Sequence, residues 1–279
     1  MTMTTRITII ASTAIAAIAA FVLMSGTGAP SATAQTGGSM IGTPSHIQLT
    51  VKDLISSLAW YAKLGFNPVK GPINKPDSIV YLSDGQIVLA LVTGNAPSPI
   101  LVMRAPNLRA LRDSLDQLEI PSGFKLRGPT YSELQVASPA GLLMSIRLAS
   151  DEDSIAFTRA VNPTCGPLGE LSIATPSLPS ERTFWEQLGW KQVDGNETPY
   201  PFAVMSDGTM KIGIHQGLDL PGVVITYFSH DAADRVARLK SMGFNVEPDI
   251  VADAQANENA ALKSPDGQLL LVFKDPKAK

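Results

Sequence analysis

The feature that most constrains this chain is a repeat with a period of about 124 residues. Three short segments recur: 64–66 as 188–190, 83–85 as 206–208, and 138–141 as 264–267, at offsets of 124, 123 and 126. The first pair reads Leu-Gly-Phe and Leu-Gly-Trp, the second shares Ser-Asp-Gly, and the third reads Ser-Pro-Ala-Gly and Ser-Pro-Asp-Gly. Offsets that agree within a few residues indicate a duplicated structural unit.

Local patterns show what is repeated. Ile47, Leu49 and Val51 alternate with polar or small neighbours, as in a strand with one buried face. Apolar residues at helical spacing follow from Leu54, and Gly65 stands where a helix would end. The Ser-Asp-Gly segments lie between apolar runs and are typical of hairpin turns. We therefore predict an α+β protein of four units, each made of a strand, a helix and about three strands.

The repeat also predicts the domain organisation. Residues 42–150 form the first domain with two units, and residues 164–279 form the second. The polar segment 151–163 is the predicted linker, and residues 35–41 form a flexible N-terminus.

Residues 1–34 have the composition of an export signal. Arg6 precedes an uncharged Ala/Ile-rich run from Ile7 to Met24, and Ala32-Thr33-Ala34 fits the small-x-small cleavage pattern. We expect cleavage before Gln35 and hence an exported protein, periplasmic or extracellular, with no membrane association afterwards. The alternative is an uncleaved anchor, since 18 apolar residues are just long enough to span a bilayer.

Composition excludes several partners. The chain has 22 Lys and Arg against 25 Asp and Glu, a net charge of −3, and no basic run, so we predict no nucleic-acid partner. A single cysteine, Cys165, excludes an internal disulfide framework and a multi-cysteine metal site. A small-molecule ligand remains as the expected partner, and a homodimer is possible.

Several junctions resemble those of the vicinal oxygen chelate superfamily, the glyoxalase, bleomycin-resistance and extradiol-dioxygenase fold. They are the helix-to-strand segments 64–66, 188–190 and 242–244, and the Ser-Pro-Asp-Gly-Gln-Leu turn at 264–269. The resemblance covers residues 42–275. It implies βαβββ modules paired into two cupped mixed sheets, each around a ligand cavity. It does not imply one activity, because the superfamily includes lyases, isomerases, dioxygenases, thiol transferases and drug-binding proteins.

The resemblance also implies where a divalent metal would bind, on the first and last strands of paired modules. His46 and Glu170 occupy first-strand positions in modules one and three. Ser145 and Leu271 stand where many members have a last-strand glutamate. Since no pair of modules keeps three ligand-type side chains, we predict no cofactor. A divalent metal at His46 or Glu170 is the alternative.

The segment Ile214-His215-Gln216 resembles one found in superfamily members that lack a complete metal set. Strand alternation places His215 towards the cavity, whereas counting from the preceding turn gives the opposite face. We expect ligand binding to use the following residues: His215, Glu170, His46, Gln216 and Tyr227, with Met205 and Met210 in the cavity wall.

These features together predict an exported, glyoxalase-like protein that binds a small amphipathic molecule in a cupped-sheet cavity without a complete metal site. Binding should depend on residues 164–279 more than on residues 42–150. One alternative is a metal-dependent lyase or isomerase of the glyoxalase type. A second alternative is a non-catalytic structural interaction module.

Overall fold

A computed structural model describes residues 39–72, 78–150, 155, 163–198, 200–246 and 258–275. The predicted leader lies outside these residues, and so does the predicted linker apart from residues 155 and 163. Within the described ranges the chain forms two mixed sheets and four helices. No helix in them is long and apolar enough to cross a membrane.

The first sheet contains modules one and two. Its strands are β1 (Thr43–Val51), β2 (Asn67–Pro68), β3 (Ile79–Ser83), β4 (Val88–Thr93), β5 (Ile100–Ala105), β6 (Ser122–Arg127), β7 (Thr130–Ala137) and β8 (Leu143–Leu148). They lie in the order β2-β3-β4-β1-β5-β8-β7-β6. In each module the first strand pairs parallel with the last, and the two first strands pair antiparallel at the centre. Helices α1 (Leu54–Lys63) and α2 (Leu108–Gln117) follow β1 and β5.

The second sheet repeats this arrangement. Its strands are β9 (Leu168–Thr175), β10 (Lys191–Asn196), β11 (Phe202–Ser206), β12 (Lys211–Gln216), β13 (Val224–Ser229), β14 (Ala260–Lys263) and β15 (Leu269–Lys274), with helices α3 (Leu178–Gln187) and α4 (Ala232–Ser241). The strand order is β10-β11-β12-β9-β13-β15-β14. The predicted α+β fold of modules paired into two mixed sheets is confirmed. Three modules show the complete βαβββ pattern, and the fourth shows two strands after its helix in the described residues.

Helix starts repeat from module to module as well. Asp53 accepts hydrogen bonds from the backbone of Ile55 and Ser56, and Asn107 accepts one from Ala110 at 3.0 Å. Ser177 caps α3 in the same way. Such side chains satisfy backbone N–H groups that have no partner within the helix, so each helix begins at a defined residue.

The two sheets share one apolar core. Alternate residues of both sheets, such as Leu49 and Ile173, belong to a single buried cluster with helix and junction residues such as Trp185. We call the opposite side of each sheet its far face. His46 of β1 and Glu170 of β9 lie on the far faces of the first and second sheets, because each precedes a core-facing residue in its strand.

Two equivalent contacts join the halves of the chain. The Ser57 hydroxyl of α1 donates to the carboxylate of Asp266, in the turn before β15. In the other contact Glu181 of α3 accepts a hydrogen bond from the backbone N–H of Ala140, in the turn before β8, at 2.7 Å. Ser57 and Glu181 are related by the 124-residue offset, and Ala140 and Asp266 by the 126-residue offset. The carboxylate therefore stands on the turn in one contact and on the helix in the other.

Candidate functional site

The far face of the second sheet carries a compact group of buried polar side chains. Glu170 and Ser172 come from β9, His215 from β12 and Thr226 from β13, and none is more than 5% exposed. His215 Nε2 lies 2.9 Å from Glu170 Oε1. The Ser172 hydroxyl donates to the same oxygen at 2.9 Å and lies 2.7 Å from the Thr226 hydroxyl. The structure thus brings together two of the predicted ligand-binding residues, Glu170 and His215.

A glycine makes room for this pair. Gly213 lies on β12 beside β9, and a Cβ atom at this position would lie only 2.0 Å from Glu170 Oε1. Any side chain there would displace the carboxylate. The glycine in Lys-Ile-Gly-Ile-His therefore permits the Glu170 carboxylate to reach His215.

The two nitrogens of His215 have different surroundings. Nε2 faces the Glu170 carboxylate, whereas Nδ1 is buried with no hydrogen-bond partner among the described residues. The ring stacks on Phe202 with centroids 6.1 Å apart, and it also contacts Tyr200. When Nε2 donates to Glu170, Nδ1 becomes an acceptor held in a fixed orientation. Burial, and then the charge of Glu170, raise the pKa of Tyr200 well above its ordinary value.

An apolar cluster lies on the same far face. It consists of Leu218, Leu220, Val224, Ala261, Leu269, Leu271 and Phe273, with Ala174, Tyr200 and Phe228 packed against it. Tyr200 connects this cluster to the His215 ring. Leu218 and Leu220 come from the segment between β12 and β13. The polar pair is thus bordered by apolar side chains, as is usual in small-molecule sites.

The predicted ligand-binding residue Tyr227 does not lie here. It is fully buried in the common core on the opposite face, where its hydroxyl donates to Asp84 Oδ2 at 2.9 Å. Met205 and Met210 also pack in the common core. The prediction that these three residues face the cavity is wrong. Tyr227 lies on β13, which is mainly apolar on both faces, so alternation could not assign Tyr227 to one face.

Two further predicted residues lie elsewhere. The Gln216 side chain accepts a hydrogen bond from the backbone N–H of Leu178 at 2.7 Å, at the start of α3. It therefore stabilises a helix end and does not join the pair. His46 lies on the far face of the first sheet, a different sheet from Glu170 and His215. Of the predicted ligand-binding residues, the structure therefore does not bring His46 and Gln216 to the Glu170–His215 pair.

His46 has a cationic neighbourhood. It is 1% exposed, its Nδ1 lies 3.0 Å from the Ser45 hydroxyl, and its ring contacts Tyr81 edge-on. Burial, and then the charges of Arg147 and Arg104, lower its pKa from 6.5 to about 3. His46 is therefore a neutral imidazole near pH 7.

The two arginines were missed in the sequence analysis. Arg104 and Arg147 are register partners on the parallel strands β5 and β8. Arg147 donates to the Ser145 hydroxyl at 3.1 Å, and that hydroxyl donates to Glu133 at 3.0 Å. The sequence pattern that could have identified them is a single arginine in each of two mainly apolar strands. Strand alternation assigns both positions to the far face.

Comparison with solved structures identifies the fold. The manganese-bound glyoxalase from Novosphingobium aromaticivorans matches with a TM-score of 0.60 and 16% identity, over 86% of this chain and 84% of that one. Homoprotocatechuate 2,3-dioxygenase from Brevibacterium fuscum, in complex with 3,4-dihydroxyphenylacetate, matches with a TM-score of 0.58 and 14% identity, over 89% and 88%. The 2,3-dioxygenase LapB from Pseudomonas sp. KL28 gives 0.56 and 14%, over 86% and 93%.

These matches show that the chain shares its fold with glyoxalases and extradiol dioxygenases. No protein-family model matches the sequence, and no curated protein matches it. At identities of 14–16% the similarity establishes architecture and does not assign an activity.

The matching glyoxalase is manganese-bound, which raises the question whether this chain has the ligands for a divalent metal. Catalytic sites usually have three protein ligands. In the part of the chain that the structure describes, no three His, Cys, Asp or Glu side chains lie close enough to hold an ion. Beside Glu170, the register positions on β13 and β15 are Thr226 and Leu271. Among the described residues, the donors present therefore do not fit a divalent metal.

Proposed function

We propose that the protein binds a small amphipathic molecule on the far face of the second sheet, with His215 as the main polar contact. The observation that supports this is the imidazole itself, oriented by Glu170 at 2.9 Å and left with a buried, unpartnered Nδ1 among the described residues. A buried acceptor without a donor costs free energy, and a ligand hydroxyl or N–H would recover it.

The apolar cluster defines the rest of the ligand. A hydrophobic surface is formed by Leu218, Leu220 and Leu271. Tyr200 packs against this surface and also contacts the His215 ring, so the surface lies near His215. The ligand class is therefore a neutral molecule with an apolar body and one hydrogen-bond donor. Because Glu170 and His215 are 5% and 3% exposed, binding requires neighbouring side chains to move aside.

A matched ligand pair tests this proposal. 2-Naphthol carries an apolar body and a hydroxyl, and 2-methoxynaphthalene has the same body without the donor. We expect 2-naphthol to bind more tightly, and the His215→Leu variant to lose that preference. Loss of one polar contact should weaken affinity by about 1–3 kcal/mol, or roughly five- to 150-fold. Fluorescence titration gives both affinities.

Two variants serve as comparisons. Glu170→Gln should weaken 2-naphthol binding, because it alters the orientation of His215. His46→Ala removes a buried histidine from the other sheet and should leave binding unchanged. Loss of affinity in the His46 variant alone would place the site in the first half and contradict the proposal. If neither compound binds the unmodified protein, the structural-module alternative is favoured.

We also propose that the protein is exported and that its leader is removed. The support is the Ala32-Thr33-Ala34 site after the apolar run, in a region outside the described residues. N-terminal sequencing of protein from its native cells should begin at or near Gln35. An intact Met1 with retention in the membrane fraction would show an anchor instead.

A further inference from the structure

Strand β6 is an open edge of the first sheet. It is the last strand in the sheet order, and no described strand lies on its outer side. All of its residues after Ser122 are exposed. They include Phe124 and Leu126, which are 50% and 56% exposed and project from the same face of the strand. Unpaired backbone groups beside exposed apolar side chains form a surface on which another strand can add.

The other edge strands, as far as the structure describes them, are less suited to pairing. β2 has two residues and ends in Pro68, which has no N–H group to donate. β10 carries an extra residue at Val193, where its register with β11 shifts, and such a bulge twists an edge away from a partner. β14 is buried apart from Lys263. In the β6–β7 pair the extra residue is Ser132 of β7, so β6 itself is regular.

Hydrogen bonds within the β6–β7 hairpin show which backbone groups of β6 face outwards. The carbonyl oxygens of Lys125 and Arg127 accept hydrogen bonds from the hydroxyls of Ser132 and Thr130, at 3.2 and 2.9 Å. Both hydroxyls belong to β7, so the backbone groups of Lys125 and Arg127 face β7. Since backbone groups alternate in direction along an antiparallel strand, those of the even-numbered residues of β6 face outwards.

We propose that β6 pairs antiparallel with β6 of a second copy of the chain, with Phe124 opposite Phe124 of that copy. This register places Leu126 of each copy opposite Ser122 of the other and joins the two first sheets through about six backbone hydrogen bonds. The contact is self-complementary, so a two-fold axis closes it and leaves no open β6 edge. Apolar side chains that face each other across the strands stabilise the pairing.

The charges on β6 select this register. Lys125 projects from the face opposite to Phe124, and it would lie across from Gly123 of the second copy. A shift that placed Lys125 opposite Lys125 would set two like charges against each other. In the proposed register each Lys125 ammonium keeps its ion pair with Glu133 of its own chain, at 2.9 Å.

Helix α2 leaves space for the second copy. It packs on β7 and β8, and therefore lies to one side of the proposed two-fold axis. From there the Arg112 guanidinium reaches over the Phe124 ring, 5.5 Å from its centre. The two facing rings would thus be covered by Arg112 from each copy.

Sedimentation velocity of the full chain without its predicted leader measures self-association. Pairing of one short strand gives a small interface, so we expect a reversible dimer with a dissociation constant of about 1–100 µM. A protein that stays monomeric at several times the upper value would overturn the proposal. His215→Leu should dimerise like the unmodified protein, because the proposed ligand site lies on the other sheet. Loss of ligand binding therefore leaves this test intact.

Variants locate the interface. Phe124→Lys sets two like charges opposite each other at the axis, and Leu126→Lys adds a charge beside it. Each should weaken the dimer at least about tenfold. Ile55→Lys is the matched control, because Ile55 is an apolar residue on α1 that is 80% exposed. An unchanged dimer in both β6 variants, or an equal loss in Ile55→Lys, would contradict the proposal.

Cysteine variants test the register. Phe124→Cys places two thiols opposite each other across the axis, whereas Lys125→Cys places its thiol opposite Gly123 of the second copy. With copper phenanthroline as the oxidant, Phe124→Cys should form a covalent dimer at least about tenfold faster. The native thiol of Cys165 is buried and should not contribute. Equal rates, or a faster reaction of Lys125→Cys, would overturn the proposed pairing.

Discussion

The burial of His46 makes the stability of this protein depend on pH in a predictable window. The folded pKa is about 3 and the ordinary value is 6.5. Between these values the unfolded chain binds a proton that the folded chain excludes. Folding stability is therefore fully present above pH 6.5 and falls as the pH falls towards 3. Burial is the main cause, and the charges of Arg147 and Arg104 add to it.

The magnitude follows from the distance of the chosen pH from 6.5. At about 1.4 kcal/mol per pH unit, acidification from pH 7.5 to pH 5 removes about 2 kcal/mol of unfolding free energy through this residue. At pH 5 the folded imidazole is still neutral, so the loss is governed by the unfolded chain. The His46→Gln variant lacks this group and lacks this loss.

Urea denaturation at pH 7.5 and pH 5 measures the effect. The unfolding free energy of the unmodified protein should fall by about 2 kcal/mol more than that of His46→Gln. His230→Gln replaces an exposed histidine and is the matched control variant. If His46→Gln and the unmodified protein lose equal stability, His46 is not a buried neutral imidazole and the reasoning is refuted.

Three further predictions concern single positions or ions. Elemental analysis should give well under one divalent metal per chain, whereas about one ion per chain that is lost in His46→Ala would favour a metal-dependent enzyme. Burial raises the pKa of Cys165 to about 12, so the native thiol should resist a thiol reagent at pH 8 and react only after unfolding; rapid native labelling would contradict this. Gly213→Ala should displace the Glu170 carboxylate, weaken 2-naphthol binding and cost about 1–3 kcal/mol of stability. Gly123→Ala is its control, because a Cβ atom there meets its nearest neighbour at 3.7 Å, and equal losses in both variants would contradict the role of Gly213.

The architecture could be predicted from the sequence because its modules are repeated. The offsets between related segments predicted equivalent modules, and the structure pairs them into two mixed sheets of similar order. Three of the four described helix starts also carry a local capping residue, such as Asp53 or Ser177, that acts within a few residues. Such short-range and repeated features need no knowledge of the tertiary structure.

The site was harder to predict from the sequence, because it depends on which face of each strand is buried. In β12 the polar residues Lys211 and His215 alternate with isoleucines, so alternation identified a face. In β13 the run Val-Ile-Thr-Tyr-Phe has no such contrast, and a register shift separates Thr226 from Tyr227. The carboxylate–imidazole contact also requires two strands distant in sequence, so spacing alone does not reveal it.

In one contact between the halves the carboxylate belongs to Asp266 on a turn, and in the other it belongs to Glu181 on a helix. The two halves are therefore not interchangeable. If two copies of the first half packed together in the same way, Ser57 of one copy would lie opposite Ala140 of the other, and neither side chain is charged. In a pair of second halves, Glu181 of one copy would lie opposite Asp266 of the other, and the two carboxylates would repel. Only unlike halves give one acid and one donor in each contact. After the ancestral duplication, this asymmetry would have favoured assembly of the halves within one chain over self-association of either half.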